Sequence, residues 1–361
     1  MRVLFLASDG ISATVRIRPL LEHLRDCGKI EDFACVDRDL AIIGSGGPFD
    51  VVMVHRNPGS RQIAWLRGSG LAFVYDIDDL LLPDAIQLDW RRTRERDAIR
   101  WCLANARAVT SPSRRLLATL DSRLAEPLGS RAIYLPNAGF EPVPAVARPA
   151  ARPHLLWASS HGVYFEELAG ICAGIAAAAR AIGTQVTLVG RFPDAVHAAI
   201  PGHVHVPWLE IGEYQRFLAG GSFVAATPLP AAMPPAEQAF LDCKSDIKAA
   251  QFCSLGIAAL YSPVPPYTDS DLPCTIAPTN TAADWQDGLI ALAKDYPAGG
   301  ERLAQHPALA ARRRDVAARQ LFDILSLARS KASIEFRARP RPALLRRLEQ
   351  RIRSIRSRIF R

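Results

Sequence analysis

The chain has 361 residues, 49% of them hydrophobic, which is long enough for two cored domains and too apolar for a disordered chain. It carries 44 Lys+Arg against 36 Asp+Glu, a net charge of +8. Ten arginines and one acid (Glu349) fall in residues 337–361, leaving 34 basic and 35 acidic residues elsewhere, so a body that is basic throughout for nucleic acid is excluded.

The first half alternates short apolar runs with helical stretches. Strands are expected at Val3–Ala7, Phe33–Val36, Val51–Val54, Leu71–Tyr75, Ala108–Thr110 and Ile133–Leu135. Helices are expected at Arg16–Arg25, Arg61–Leu66, Thr93–Ala104 and Ser113–Leu120. Nearly continuous apolar strands fit a parallel sheet covered on both faces. The Gly44–Gly47 cluster precedes a strand and reads as a turn. Residues 141–154 carry four prolines and read as a linker.

The alternation then restarts. Strands are expected at Leu155–Ala158, Val186–Val189, Val204–Val206, Phe223–Ala226 and Ile257–Tyr261. Helices are expected at Phe165–Ala181, Ile211–Leu218, Asp246–Ser254 and Ala282–Lys294, with a long one over Leu309–Arg329. The fold class is therefore α/β: two doubly wound, Rossmann-like domains at 1–140 and 155–330, with ligands in the cleft between them. Residues 331–361 form a basic tail. Leu345, Leu348, Ile352, Ile355 and Ile359 fall at helical spacing among arginines, an amphipathic helix.

Seven scattered cysteines without a C-x-x-C read as reduced thiols of a cytosolic protein. The apolar run before Asp9 is too short for a signal peptide, and no segment is long and apolar enough to span a membrane.

Four segments carry candidate chemistry. Ser8–Arg18 follows the first strand and suits an acceptor- or phosphate-facing loop, with Ser8, Asp9 and Arg16 as its polar members; a plain connecting loop is the alternative. It lacks G-x-G-x-x-G, so a nicotinamide cofactor has no support. Asp76, Asp78 and Asp79 crowd a strand end, either as a D-x-D metal clamp, as hydroxyl ligands, or as solvated helix caps. Leu155–Glu167 ends a strand in Ser159, Ser160 and His161, where backbone N–H groups suit a phosphate. Lys244, Ser245 and Lys248 gather at a helix start, where cations oppose the helix dipole unless an anion is bound.

In this order the segments resemble the GT-B glycosyltransferases, and more narrowly the retaining E-x7-E sugar transferases of bacterial surface polysaccharides. The resemblance lies in R-I-R-P-L (Arg16–Leu20), V-Y-D-I-D-D (Val74–Asp79), T-S-P-S (Thr110–Ser113), Y-L-P-N-A (Tyr134–Ala138), W-A-S-S-H (Trp157–His161), V-T-L-V-G (Val186–Gly190), V-P-W (Val206–Trp208) and the K-S-D-I-K-A-A-Q stretch from Lys244. It covers residues 1 to about 330.

The resemblance implies a nucleotide-sugar donor on the second domain and a glycan or lipid-linked acceptor on the first. Lys244, Ser245 and Lys248 would meet the diphosphate, Gln251 the ribose, and Ser160, His161 and Gly190 the sugar or phosphate. Asp76, Asp78 and Asp79 would line the acceptor side, with His161, Asp78 and Asp79 nearest the chemistry. No catalytic metal or other cofactor is implied, since cationic side chains neutralise the leaving diphosphate. The pattern's two acids are replaced by Cys243 and Gln251, so either Glu237 or Asp242 substitutes, the donor is held differently, or the chain is a weakly active or inactive binding subunit. The implied location is the cytoplasm, with residues 343–361 docking on an anionic inner-leaflet surface; a partner helix and nonspecific RNA are the tail's alternatives.

Overall fold

The structure, a computed structural model, describes residues 1–7, 11–38, 42–43, 48–82, 90–141, 152–159, 165–329 and 334–335. Ser8, Asp9, Ser160, His161, the Gly44–Gly47 cluster, most of the expected linker and the basic tail lie outside the described residues.

Eight strands open the chain: β1 (Arg2–Leu6), β2 (Asp32–Val36), β3 (Ile42–Ile43), β4 (Pro48–Phe49), β5 (Val51–His55), β6 (Phe73–Asp76), β7 (Ala108–Ser111) and β8 (Ala132–Tyr134). Seven form one sheet in the order β3-β2-β1-β5-β6-β7-β8. All its pairs are parallel except the β2–β3 edge. The second sheet comprises β9 (His154–Ser159), β10 (Val186–Gly190), β11 (Val204–Val206), β12 (Phe223–Thr227), β13 (Ala259–Tyr261) and β14 (Thr275–Ile276). Its order is β11-β10-β9-β12-β13-β14 and every pair is parallel. β5, β10 and β12 are buried along their whole length, as helices on both faces require.

Each sheet reverses its strand order once, between β1 and β5 and between β9 and β12. The carboxyl ends of those strands are where doubly wound sheets bind ligands.

Two expected helices differ from the structure. The Arg16–Arg25 stretch is split into Ile11–Arg16 and Arg18–Asp26, because Pro19 in the first turn of the second helix has no N–H to continue the first. The Leu309–Arg329 stretch is a 3-10 turn, Pro307–Arg312, followed by a helix, Arg314–Leu327, with Arg313 extended between them. Arg312 is drawn inward to Asp246 and Asp271, which fixes the break.

The helix Arg314–Leu327 also changes sides. It lies against Arg18–Asp26 and buries Ala317, Leu321 and Ile324 in one cluster with Val3, Phe5 and Leu20. The chain thus returns to its first domain, whereas chain order alone put residues up to 330 in the second. β15 (Ile334–Glu335) continues that return by pairing antiparallel with β4.

Candidate functional site

The ends of β5 and β6 carry His55 and Asp76, both fully buried. A buried carboxylate needs partners, and Asp76 has several. Arg16 donates from Nε to Oδ2 at 2.9 Å and from Nη2 to Oδ1 at 2.8 Å. Thr110 Oγ1 donates at 2.6 Å, and His55 Nδ1 lies 2.9 Å from Oδ2. Burial alone would raise the Asp76 pKa, but Arg16 and His55 hold it well below the usual carboxylate range. Arg16 also donates to Asn137 Oδ1 at 3.2 Å. Arg16 and Asp76, expected separately on the acceptor side, therefore form one ion pair with its charge turned inward.

Asp78 and Asp79 follow β6 and are half-buried. Arg56, a non-glycine residue at φ 58, reaches Asp78 Oδ2 at 3.3 Å and Asp79 Oδ2 at 2.5 Å. Lys244 Nζ lies 3.7 Å from Asp79 Oδ1. Burial would raise the Asp79 pKa, while Lys244 and then Arg56 lower it, and the lowering prevails. Lys244 belongs to the connection between the helices Pro235–Asp242 and Ile247–Ser254, so this contact crosses from the second domain to the first. Ser245 shares that connection and is half-buried.

Lys248 is the second residue of its helix and lies in different surroundings. Its ammonium donates to the Tyr214 hydroxyl at 3.1 Å and sits 4.8 Å from the Tyr214 ring centroid and 5.9 Å from that of Phe252. It has no carboxylate partner among the described residues. Burial pushes it down to about 8.

Lys248 and Gln251, three residues apart, share a helix face and line one cavity of about 140 Å³. Gln251 is 5% exposed, and its Oε1 is buried without a hydrogen-bond partner. The cavity is also lined by Ser159 and Gly190 at the ends of β9 and β10, by the apolar wall of Trp208, Leu209 and Tyr214, and by Val15 of the first domain. Gly190 has φ +106, and a Cβ there would meet the Ser159 carbonyl oxygen at 2.0 Å. Only glycine lets β10 end beside β9 in this way.

The two lysines of K-S-x-x-K thus separate. Lys248 joins Gln251 and Gly190 at the cavity, and Lys244 joins Asp79. Cys243, matched to the first missing acid, is 2% exposed and packed in the first-domain core, with its thiol 3.5 Å from Thr119 Oγ1. Asp242 accepts from Gln238 Nε2 at 2.6 Å, and Glu237 lies in the first turn of its helix. The next helix begins at Asp246, whose carboxylate is taken by Arg312 at 2.6 Å and Ser270 at 2.7 Å.

Sequence reasoning missed Ser12, His55, Arg56, Arg312 and the Trp208–Tyr214 wall as parts of these sites. Arg56 is legible only through its backbone, since a positive φ outside glycine marks a constrained position. Trp208 stood inside a quoted motif but carried no role.

No protein-family model matches the chain, and no curated protein matches it. Solved structures do. A glycosyltransferase from Rickettsia africae is 10% identical, with a TM-score of 0.61 over 91% of this chain and 98% of that one. HepE of Anabaena, solved with UDP and glucose, is 11% identical, with a TM-score of 0.59 over 90% of this chain and 99% of that one. A putative UDP-N-acetylglucosamine 2-epimerase from Listeria monocytogenes is 12% identical, with a TM-score of 0.56 over 89% of this chain and 94% of that one. At such identities the likeness carries the fold, and one fold serves several reactions. The chain has the GT-B fold, two Rossmann-like domains, and shares that fold with these structures.

Proposed function

We propose that the chain transfers a sugar from a nucleoside-diphosphate donor to a hydroxyl of a glycan or lipid-linked acceptor. The observation that carries this reading is the pairing of Lys248 and Gln251 in one cavity. A lysine held near 8 by burial lacks an anion, and a diphosphate supplies one. A buried amide oxygen without a partner lacks a donor, and a ribose hydroxyl supplies one. The apolar wall of Trp208 and Leu209 suits the flat face of a base. UDP and glucose bound to HepE are consistent with this choice of ligand.

On this reading Lys248 neutralises the diphosphate and the Ser245 hydroxyl donates a hydrogen bond to it. Lys244 is shared between the donor and Asp79, so donor binding and the approach of the first domain are linked. Ser160, His161 and Gly190 face the transferred sugar or its phosphate. Ser8, Asp9, Asp78 and Asp79 form the acceptor side, and Arg16 with Asp76 supports it from behind. No metal or cofactor is required, and retention of configuration is the expected outcome. The product belongs to cell-surface polysaccharide, made at the inner face of the cytoplasmic membrane. There the basic stretch 343–361 docks on anionic lipid. Loss of vesicle co-sedimentation on removing residues 337–361 tests the docking.

The missing acids at Cys243 and Gln251 favour one rival, a GT-B-fold subunit that binds a nucleotide sugar without turning it over. Donor hydrolysis or transfer across a panel of nucleotide sugars separates the two. Turnover that falls in both Lys244→Ala and Lys248→Ala supports the enzyme. Donor affinity unchanged by both substitutions would refute the site.

A further inference from the structure

Lys248 serves the donor as a cation, and its surroundings also suit it to act as a nucleophile. Five of the 44 basic residues are lysines: Lys29, Lys244, Lys248, Lys294 and Lys331. The arginines never lose their proton, so these five are the chain's only side-chain amines. Lys29 and Lys294 are exposed, and Lys244 has Asp79 as a carboxylate partner. Lys248 lines the donor cavity.

No carboxylate among the described residues holds Lys248 as an ion. Of the twelve residues lining the cavity, only Lys248 and Tyr214 carry a titratable group. The Tyr214 hydroxyl, on the helix Ile211–Gly220, accepts from Nζ at 3.1 Å and is neutral, since burial raises its pKa. Lys248's own helix adds Gln251, which is neutral as well. The remaining neighbours are the ring faces of Tyr214 and Phe252. Burial therefore favours the free amine at Nζ and faces it into a cavity that small molecules can enter.

An amide at Nζ suits this place better than the ammonium does. It is neutral, so the penalty for burying the charge disappears. It keeps one N–H, and two oxygens at the cavity can accept from it. One is the Tyr214 hydroxyl, and the other is Gln251 Oε1, which is buried and without a partner. Lys248 and Gln251 lie three apart on one helix face, which puts that oxygen on the same side as the amide. A dry cavity of about 150 Å³ takes up a molecule as large as benzene, so an acetyl group fits within the 140 Å³ here.

We infer that Lys248 is an acylation site: an acyl phosphate entering the donor cavity transfers its acyl group to Nζ and so blocks the donor. The choice of electrophile and the block both rest on the transfer reading above. An acyl phosphate carries the kind of anion that the cavity takes from the donor, and its acyl carbon is bonded to an oxygen of that anion. The ammonium first gives one proton to solvent. The Nζ lone pair then bonds to the acyl carbon, and the bond from that carbon to the phosphate oxygen breaks, its pair leaving with the phosphate. A second proton passes from Nζ to the leaving phosphate. One amide and one hydrogen phosphate are formed. The acylated Lys248 has no charge to offer a diphosphate.

Acetyl phosphate is the probe. The intact chain is incubated with it at pH 7.5, and peptide mass spectrometry follows each lysine. With Lys248 at about 8, its neutral fraction exceeds that of an ordinary lysine by about two hundredfold, part of which is lost because a weaker base is a weaker nucleophile. Lys248 is expected to react about tenfold faster than Lys29 and Lys294. Its rate should level off above about pH 8 while theirs keeps rising, and UDP should slow Lys248 but neither of them. UDP binding by the acetylated chain should fall in proportion to the occupancy at Lys248. Equal rates at Lys248, Lys29 and Lys294 in a chain that binds UDP overturn the acylation site alone. Faster acetylation of Lys248 in a chain that binds neither UDP nor GDP supports the site and overturns the transfer reading, and the block with it.

Discussion

Replacing Lys248 with Met should stabilise the ligand-free chain while removing its ability to bind nucleotide. Burial lowers the Lys248 ammonium from 10.5 to about 8. At pH 7 it is still mostly charged in the folded chain, so folding carries a penalty of about 3 kcal/mol. The sign follows from the depressed value. The penalty is fully present below about pH 8, and it disappears as pH rises from there towards 10.5. Methionine keeps the length and loses the charge. It also loses the hydrogen bond to Tyr214, about 1 kcal/mol, and the contact with the ring faces, about 0.5–1 kcal/mol. The net expectation at pH 7 is a gain of about 1–2 kcal/mol, or about 1–3 °C in Tm for a chain of this length. Urea melts of both chains from pH 6 to 10 give the test. The gain should shrink above pH 8 and reverse near pH 10. A Lys248→Met chain less stable than wild type at pH 7, with a difference independent of pH, would show that Lys248 is not a desolvated cation awaiting an anion.

Three other perturbations have defined outcomes. Gln251→Ala should weaken UDP binding roughly tenfold, as expected for one lost hydrogen bond of about 1–2 kcal/mol, with little effect on the melt of the free chain; calorimetry reads both. Gly190→Ala should lower Tm and reduce nucleotide affinity together, since its Cβ would meet the Ser159 oxygen at 2.0 Å and force β10 away from β9. Arg312→Met should destabilise by about 3–5 kcal/mol in urea, because Asp246 is left buried without its cation, and Asp246→Asn in the same chain should recover part of the loss.

Much of the fold was legible because it rests on local pattern. The run Val51–Val54 has no polar residue to place on an exposed face, and Val186–Val189 has only Thr187, so both read as buried parallel strands. The helix Arg314–Leu327 was legible as a helix but not as a partner of the first domain, since its apolar stripe does not say which sheet it covers. The acidic cluster and the K-S-x-x-K stretch were visible by composition, and the cleft brings Asp79 and Lys244 together. What composition could not give is the division of labour. Lys244 and Lys248 look alike in sequence, and only the position of one in a loop and the other on a helix face sends them to different partners. His55 was hidden because it ends a run of apolar residues and pairs with Asp76 across 21 positions, and Arg312 because its carboxylate lies 66 positions away. Such contacts depend on strand order, which no single segment encodes.

Calorimetric titration of the intact chain with UDP and with GDP bears most directly on the central claim. The account predicts saturable, one-to-one binding of one of the two, lost in Lys248→Met and weakened in Gln251→Ala. Absence of binding by either nucleotide to the wild-type chain would contradict it.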